Sequence, residues 1–212
     1  MRVDIWSDVI CPWCYVGKAR FEKALSTFAH RDEVEVVYHS FELDPNSPHG
    51  AGESNLTMLS KKLGKSRDEA LAMDDHVGSM ARAEGLGFDS ERPTGNTFDI
   101  HRVLHLGLDR GVQQELLSAV NAAYFGQARD VFDRAVLTEV AVGAGLDADE
   151  VGKVFDSSDY ADEVRQDELQ ARQIGINGVP FFVFDMALGA SGAQPTELFT
   201  RALDQAWEGS KA

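Results

Sequence analysis

The alternation of periodicities over residues 2–43 most restricts the fold of this 212-residue chain. Apolar and polar residues alternate in "RVDIW" at 2–6 and again in "EVEVVYHSFEL" at 33–43, and both stretches predict β-strands. Between them, apolar residues recur every three to four positions over 14–29, which predicts a helix. A strand, a helix and a strand at this spacing form a βαβ unit with parallel strands. The chain therefore predicts an α/β fold.

The strand pattern then stops at a turn-rich segment, "DPNSPHGAGES" at 44–54. Apolar spacing predicts helices at 67–84, 97–109, 113–126, 134–144, 148–156 and 160–173. "GINGVPFFVFD" predicts a buried strand, "MALGASG" its hairpin partner, and the segment from Pro195 a closing helix. We therefore expect an all-helical domain at 49–159, inserted between two parts of an α/β domain at 1–48 and 160–212.

Composition restricts the partners and the compartment. The net charge of -15, from 20 Lys and Arg against 35 Asp and Glu, disfavours nucleic acid and membrane surfaces as partners. No apolar run is long enough to span a bilayer, and "MRVDIWSDV" contains no signal sequence. The sequence predicts a cytoplasmic protein, although a chain trimmed of its leader would look the same. In the cytoplasm a close pair of cysteines is more often catalytic or metal-binding than structural.

Both cysteines, Cys11 and Cys14, lie in "SDVICPWCYVG" at the predicted junction of the first strand and first helix. A thiol at a helix N-terminus faces unpaired amides and the positive end of the helix dipole, which lower its pKa and favour the nucleophilic thiolate. Cys14, one turn further in, is more shielded and can attack a mixed disulfide at Cys11. Pro12 suits a first helical turn. Trp13 has two interpretations, contact with a substrate or ordinary packing.

A zinc site is the competing interpretation of the cysteines. His101 and His105 stand one helical turn apart and could complete a tetrahedral site with them. Nothing in the sequence brings these histidines near Cys11, and zinc would leave Pro180 unexplained, so we expect no metal. Pro180 precedes "FFVF" and has no ladder donor, which suits a strand start or an interruption. A cis peptide would be a reason for it, but the residues alone favour the commoner trans form.

Several segments together resemble a known family. "SDVICPWC" followed by a helix, the helical insertion, "NTFDIHRVLHL", and "GINGVPFFVF" with "SGAQP" resemble the DsbA-like branch of the thioredoxin superfamily, most closely its FrnE-type members. The resemblance implies a thioredoxin-like fold with a helical domain inserted after the βαβ unit. It also implies a thiol-disulfide oxidoreductase in which Cys11 and Cys14 are catalytic. In that family Pro180 would be cis and pack against the dithiol, and the backbone of Val179 would bind an extended substrate.

The resemblance extends to three other residues. Asp4 lies near the position of a buried acid that moves the proton of the inner cysteine in related proteins; a partly exposed strand carboxylate is the alternative. "NTFDIH" also resembles kappa-class glutathione transferases and 2-hydroxychromene-2-carboxylate isomerases, which implies that Asn96 and His101 line a substrate cleft. The alternatives are a helix cap for Asn96 and a surface histidine for His101. Those relatives carry serine in place of Cys11 and an Asp-Arg pair where this chain reads "GAQPTE", which weakens the case for a dedicated glutathione site.

The expected substrate is therefore a disulfide or dithiol, on a protein or a small molecule. We expect no tightly bound cofactor, and glutathione is a candidate co-substrate. A glutathione-dependent isomerase or transferase of small aromatic substrates is the first alternative, and a redox-inert binding or chaperone-like module is the second. The sequence leaves the redox direction open, and it is compatible with a homodimer.

Overall fold

The computed structural model describes residues 1–210. Its elements are β1 (Arg2–Ser7), α1 (Pro12–Thr27), β2 (Glu35–Ser40), α2 (Asn55–Leu63), α3 (Arg67–Ala83), α4 (Phe98–Asp109), α5 (Gln113–Asn121), α6 (Arg134–Gly143), α7 (Ala148–Asp156), α8 (Ala161–Gln173), β3 (Phe181–Phe184), β4 (Leu188–Ser191) and α9 (Thr196–Gly209). A 3-10 turn at Arg31–Glu33 precedes β2, and a π-helical turn at Ala122–Gly126 follows α5. The predicted α/β fold with inserted helices is confirmed.

β1 is an inner strand of a four-stranded sheet with the order β2-β1-β3-β4. It pairs in parallel with β2, as the βαβ pattern predicts, and antiparallel with β3. β3 and β4 form an antiparallel hairpin. Because β1 has neighbours on both sides, the position at which it ends is fixed from both directions.

One face of the sheet is apolar and holds α1. Ile5 of β1 is buried and lies opposite Phe182 of β3. The ring of Phe21 on α1 packs against Phe182 and Phe184, and against Phe199 of α9, with ring centroids 5.5, 6.3 and 5.8 Å apart. Aromatic pairs with tilted rings stabilise a fold by their mutual contact in addition to the apolar surface that they bury. These contacts hold α1 against this face of the sheet.

The opposite face carries Asp4 and Trp6, because side chains alternate along a strand. Trp6 is fully buried and packs with Ala171 and Val183. Its indole N–H donates to the carbonyl oxygen of Asp167 at 3.0 Å, which ties β1 to α8. The two faces are therefore chemically different, apolar towards α1 and mixed towards α8.

Contacts divide the chain into two compact units, residues 1–43 with 165–212, and residues 44–164. The first contains the sheet, and the second contains helices α2 to α7. The sequence-based limits of 1–48, 49–159 and 160–212 lie within a few residues of these divisions, and as domain limits they stay a prediction. Within residues 1–210, no helix is long and apolar enough to cross a membrane.

Two elements differ from the sequence prediction for identifiable reasons. β2 ends at Ser40 rather than at residue 43, because the amides of Glu42 and Leu43 bond to side-chain carboxylates instead of to a strand. Helix α2 was not predicted, although Leu56, Leu59 and Leu63 have helical spacing; the segment is only nine residues long, and of these only Asn55 and Leu56 are buried. Its start is set by Ser54, whose hydroxyl accepts from the amide of Thr57.

Candidate active site

The two cysteines lie where β1 passes into α1. The amide of Cys11 donates to the carbonyl oxygen of Asp8 at 3.1 Å, which closes a turn, and Cys11 immediately precedes the helix. Cys14 lies in the first turn of α1, after Pro12, the first helical residue. The exposed fractions of Cys11 and Cys14 are 3% and 4%, and neither forms a disulfide. Both cysteines are therefore buried free thiols at the N-terminus of α1.

The segment before β3 contacts this pair. The thiol of Cys11 donates to the carbonyl oxygen of Val179 at 3.6 Å. The Val179-Pro180 peptide is cis, as the family resemblance implies, so the trans form favoured by the residues alone was wrong. Either isomer is compatible with an X-Pro sequence, and the choice depends on surrounding contacts that a sequence does not display. The carbonyl oxygen of Pro180 accepts from the amide of Gly192 at 2.8 Å, so β4 supports the same segment.

Gly17 is a site residue that the sequence analysis missed. A Cβ atom at this position of α1 would lie 3.0 Å from Cγ of Pro180 and 3.4 Å from Cα of Ala193. The distance to Pro180 is tighter than nearly all real Cβ contacts, and that to Ala193 is at the lower edge of ordinary contact, so glycine allows the helix to approach the Pro180 segment this closely. A glycine within a helical pattern is the available signal, and it does not say what approaches it.

The environment of Cys14 disfavours its thiolate. Burial raises the pKa of Cys14 well above its ordinary value, and the neighbouring Cys11 raises it further. Hydrogen bonds from the side chain of Ser7 and the backbone of Asp8 act in the opposite direction. Ser7, the last residue of β1, was missed because a serine beside a cysteine pair has no distinctive signal. Ser7 and Asp8 therefore offset part of the cost of forming the Cys14 thiolate.

The remaining candidate residues differ in setting. Trp13 is 42% exposed beside the buried cysteines, so its indole is accessible to a binding partner. Asn96 and His101 are buried in the helical unit. The Asn96 side chain donates to the carbonyl oxygen of Pro45 at 3.3 Å and accepts from the amide of Phe98 at 3.0 Å, next to the start of α4. Their predicted contact with a substrate stays a prediction.

Asp4 belongs to a buried ionic network on the α8 face of the sheet. His39 of β2 bonds to Asp4 at 2.7 Å and to Asp167 of α8 at 2.6 Å. Arg2 also bonds to Asp4 at 2.8 Å. The His39 ring stacks on the indole of Trp6, with centroids 4.5 Å apart. This network joins two strands and a helix that are remote in sequence, which is why the sequence analysis did not find it.

The network shifts the pKa values of its members. Burial lowers the pKa of His39, but hydrogen bonds and charges from Asp167 and Asp4 outweigh it and raise the pKa to about 9. Burial raises the pKa of Asp4, but His39 and Arg2 outweigh it and the net pKa is lowered. Near neutral pH the His39 ring is therefore an imidazolium cation between the side chains of Asp4 and Asp167.

In residues 1–210, no group of three or more His, Cys, Asp or Glu side chains is arranged to hold a metal ion.

Comparisons with known proteins identify relatives of this chain. The family description "DSBA-like thioredoxin domain" matches residues 2–204. A crystal structure of a probable DsbA oxidoreductase from Streptomyces coelicolor is 55% identical, has a TM-score of 0.94, and is matched over 98% of this chain and 90% of that chain.

More distant structures share the fold alone. The cytosolic disulfide reductase DsbM from Pseudomonas aeruginosa, with GSH, is 17% identical with a TM-score of 0.67 over 98% of this chain and 100% of that chain. A 2-hydroxychromene-2-carboxylate isomerase is 14% identical with a TM-score of 0.70 over 100% of this chain and 98% of that chain.

The His39 network predicts a specific dependence of stability on pH. The folded pKa of about 9 exceeds the unfolded value of 6.5, so the contribution is complete below the unfolded value and is lost as pH rises through about 9. It amounts to about 3 kcal/mol of unfolding free energy. His39→Gln should remove this component of the loss between pH 7 and 10, as measured by denaturant unfolding. Equal pH profiles for the variant and the unmodified protein would contradict the assignment.

The close approach at Gly17 predicts that a larger side chain is damaging there. Gly17→Val should lower the unfolding free energy by roughly 1–3 kcal/mol, because its extra carbons collide with Pro180 and Ala193. The matched control is Gly152→Ala in α7, where a Cβ meets nothing within 4 Å. That control should be neutral or stabilising by about 0.5–1 kcal/mol. Denaturant unfolding compares the two, and a Gly17→Val variant as stable as the control would refute the contact.

Proposed function

Because the chain belongs to the DSBA-like thioredoxin domain family, we propose that it is a thiol-disulfide oxidoreductase that exchanges disulfides through its Cys-Pro-Trp-Cys segment. The observation that carries this proposal is the position of Cys11, between the end of β1 and α1, with its sulfur 3.6 Å from the Val179 carbonyl oxygen. A reacting sulfur beside a main-chain carbonyl lies within reach of an extended substrate. The partner is a disulfide or dithiol on a protein or a small molecule.

The chemistry proceeds in two exchanges. The Cys11 thiolate attacks one sulfur of a substrate disulfide, forms a mixed disulfide, and releases the other substrate sulfur as a thiolate that takes up a proton. The Cys14 thiolate then attacks the Cys11 sulfur, forms the Cys11–Cys14 disulfide, and releases the second substrate thiolate. The same steps in reverse reduce the protein and oxidise a dithiol. The reduction potential decides which direction operates.

The second exchange is the more demanding one. The pKa of Cys14 is raised by burial and by Cys11, so deprotonation is costly at neutral pH. Ser7 and the backbone of Asp8 offset part of that cost. Asp4 as the group that accepts the Cys14 proton remains part of the proposal; its hydrogen bonds run to Arg2 and His39.

Substrate binding is proposed to involve residues on both sides of Cys11. Trp13 and Pro12 border it from α1, and the exposed indole of Trp13 supports an apolar contact. Val179 and Pro180 border it from the other side through their backbone. Asn96 and His101 of the helical unit remain candidates for contact with a substrate.

A trapping experiment tests the dithiol chemistry. Cys14→Ala should accumulate mixed disulfides at Cys11, because the resolving sulfur is gone while the attacking sulfur remains. Mass spectrometry after reaction with oxidised glutathione or an oxidised peptide detects the adduct. The control, Cys11→Ser, should form no adduct at residue 11 and should lose exchange activity. An unreactive Cys14→Ala together with a fully active Cys11→Ser would rule out the mechanism.

The same assays separate the finer alternatives. Asp4→Asn should slow the resolving step if Asp4 accepts the proton, and should leave it unchanged otherwise. Glutathione as co-substrate is supported by a fold relative, DsbM, whose structure was solved with GSH. A glutathione-dependent isomerase or transferase would bind glutathione even in Cys14→Ala, whereas an exchange partner would react through Cys11. A redox-inert module would show no titration of the cysteine couple against glutathione. The cytoplasmic location stays a prediction.

A further inference from the structure

Asp8 is a buried carboxylate that the exchange steps above do not use. It lies in the turn between β1 and α1 and is 1% exposed. Its Oδ2 atom accepts a hydrogen bond from the amide of Leu43 at 2.8 Å. Burying a carboxylate without hydrogen-bond partners is strongly unfavourable, so this hydrogen bond stabilises the buried position of the Asp8 side chain. It fixes Asp8 to the segment that follows β2.

The main chain of Asp8 contacts both cysteines. Its carbonyl oxygen accepts from the amide of Cys11 at 3.1 Å. A hydrogen bond from its backbone acts on Cys14 to lower the pKa of that thiol, which favours the thiolate. The two reacting sulfur atoms are therefore positioned by one residue whose own side chain is anchored elsewhere.

Two carboxylates outside the active-site turn accept from backbone amides in a similar way. Asp167 accepts from the amide of Ser40 at 2.7 Å, and Glu168 accepts from the amide of Glu42 at 3.4 Å. Both belong to α8; Asp167 binds Ser40, the last residue of β2, and Glu168 binds the segment after β2 to which Asp8 is also bonded. Substitutions at these two carboxylates therefore serve as controls. They disturb the chain near the end of β2 and do not alter the turn that contains Asp8.

We propose that Asp8 is a positioning residue. Its carboxylate accepts from the amide of Leu43 and so holds the turn in the position where the amide N–H of Asp8 donates a hydrogen bond to the sulfur of Cys14. The role rests on the proposed exchange function and deepens it. In the resolving step the Cys14 sulfur attacks the Cys11 sulfur of a mixed disulfide, and the bound thiol leaves with the electron pair. The amide of Asp8 stabilises the Cys14 thiolate before that attack. Loss of the anchor frees the turn and weakens this donor.

The effect belongs to the resolving step. A hydrogen bond to a charged acceptor is stronger than one to a neutral acceptor, so its loss lowers the fraction of Cys14 present as thiolate. A lower thiolate fraction slows the attack of Cys14, but a thiolate of higher pKa is more nucleophilic, which offsets part of that loss in rate. Asp8→Ala should therefore lengthen the life of the Cys11 mixed disulfide by roughly three- to tenfold. Asp8→Asn keeps an oxygen acceptor for the Leu43 amide and should stay within about twofold of the unmodified protein.

The experiment follows glutathione on the full-length protein. Oxidised glutathione reacts with Cys11 to give the Cys11–glutathione disulfide and one reduced glutathione, and attack by Cys14 then releases a second one. Acid quenching and mass spectrometry give the rate at which the adduct becomes the internal disulfide. The matched control is Glu168→Ala, which removes an anchor on Glu42 and leaves the active-site turn intact. Denaturant unfolding of each variant accompanies the rates.

The outcomes separate the two proposals. Slow resolution in Asp8→Ala, with near-normal resolution in Asp8→Asn and Glu168→Ala, supports the positioning role. Unchanged resolution in Asp8→Ala, or equal slowing in Glu168→Ala, overturns it while the exchange function stands. If Cys14→Ala forms no glutathione adduct at Cys11, the exchange function itself fails. Should Asp8→Ala not fold, Asp8→Ser takes its place, because its hydroxyl oxygen is one atom shorter than the carboxylate and falls short of the Leu43 amide. Slow resolution in Asp8→Ser at unchanged unfolding free energy supports the role, and an unchanged rate overturns it.

Discussion

The hydrogen bond from the amide of Cys11 to the carbonyl oxygen of Asp8 is the interaction on which the site depends. It turns the chain from an inner strand into a helix within four residues, so that the strand's fixed position determines where the sulfur atoms lie. α1 is held by aromatic packing on one face of the sheet, and the Val179 segment is held by the pairing of β3. The dithiol is therefore positioned by the ends of two adjacent strands rather than by a mobile loop.

The opposite face of the sheet uses charge where the α1 face uses apolar packing. His39 lies between Asp4 and Asp167, at 2.7 and 2.6 Å, and so links β1, β2 and α8. Buried ion pairs of this kind add little net stability compared with well-packed apolar side chains, but removing one partner is costly. The network therefore ties α8 to the sheet, and loss of one member would leave a buried charge without its partner.

The parts of this molecule that were predictable from sequence are those set by neighbours along the chain. The βαβ unit, the cysteine pair at a helix start and the strand after Pro180 each follow from short-range periodicity and turn chemistry. His39 and Asp167 are separated by 128 positions, and nothing local announces their pairing. Gly17 and Pro180 come into contact only when the chain is folded, so neither the need for glycine nor the cis peptide can be read from neighbouring residues. The hydrogen bond of Ser7 to Cys14 likewise exists only in the folded protein. A resemblance to a family supplied the cis bond because it carries three-dimensional information that residue types do not.

The order of the strands has a consequence for biosynthesis. β1 needs both β2 and β3 as neighbours, yet β3 begins at Phe181, near the far end of the chain, whereas residues 44–164 form a continuous unit. At roughly 5–20 residues per second, the ribosome needs about 10–30 s to add β3 after Cys11 has been made. During that interval the sheet is incomplete, and the two thiols that the finished protein shelters are open to the oxidants and reductants of the nascent chain's surroundings.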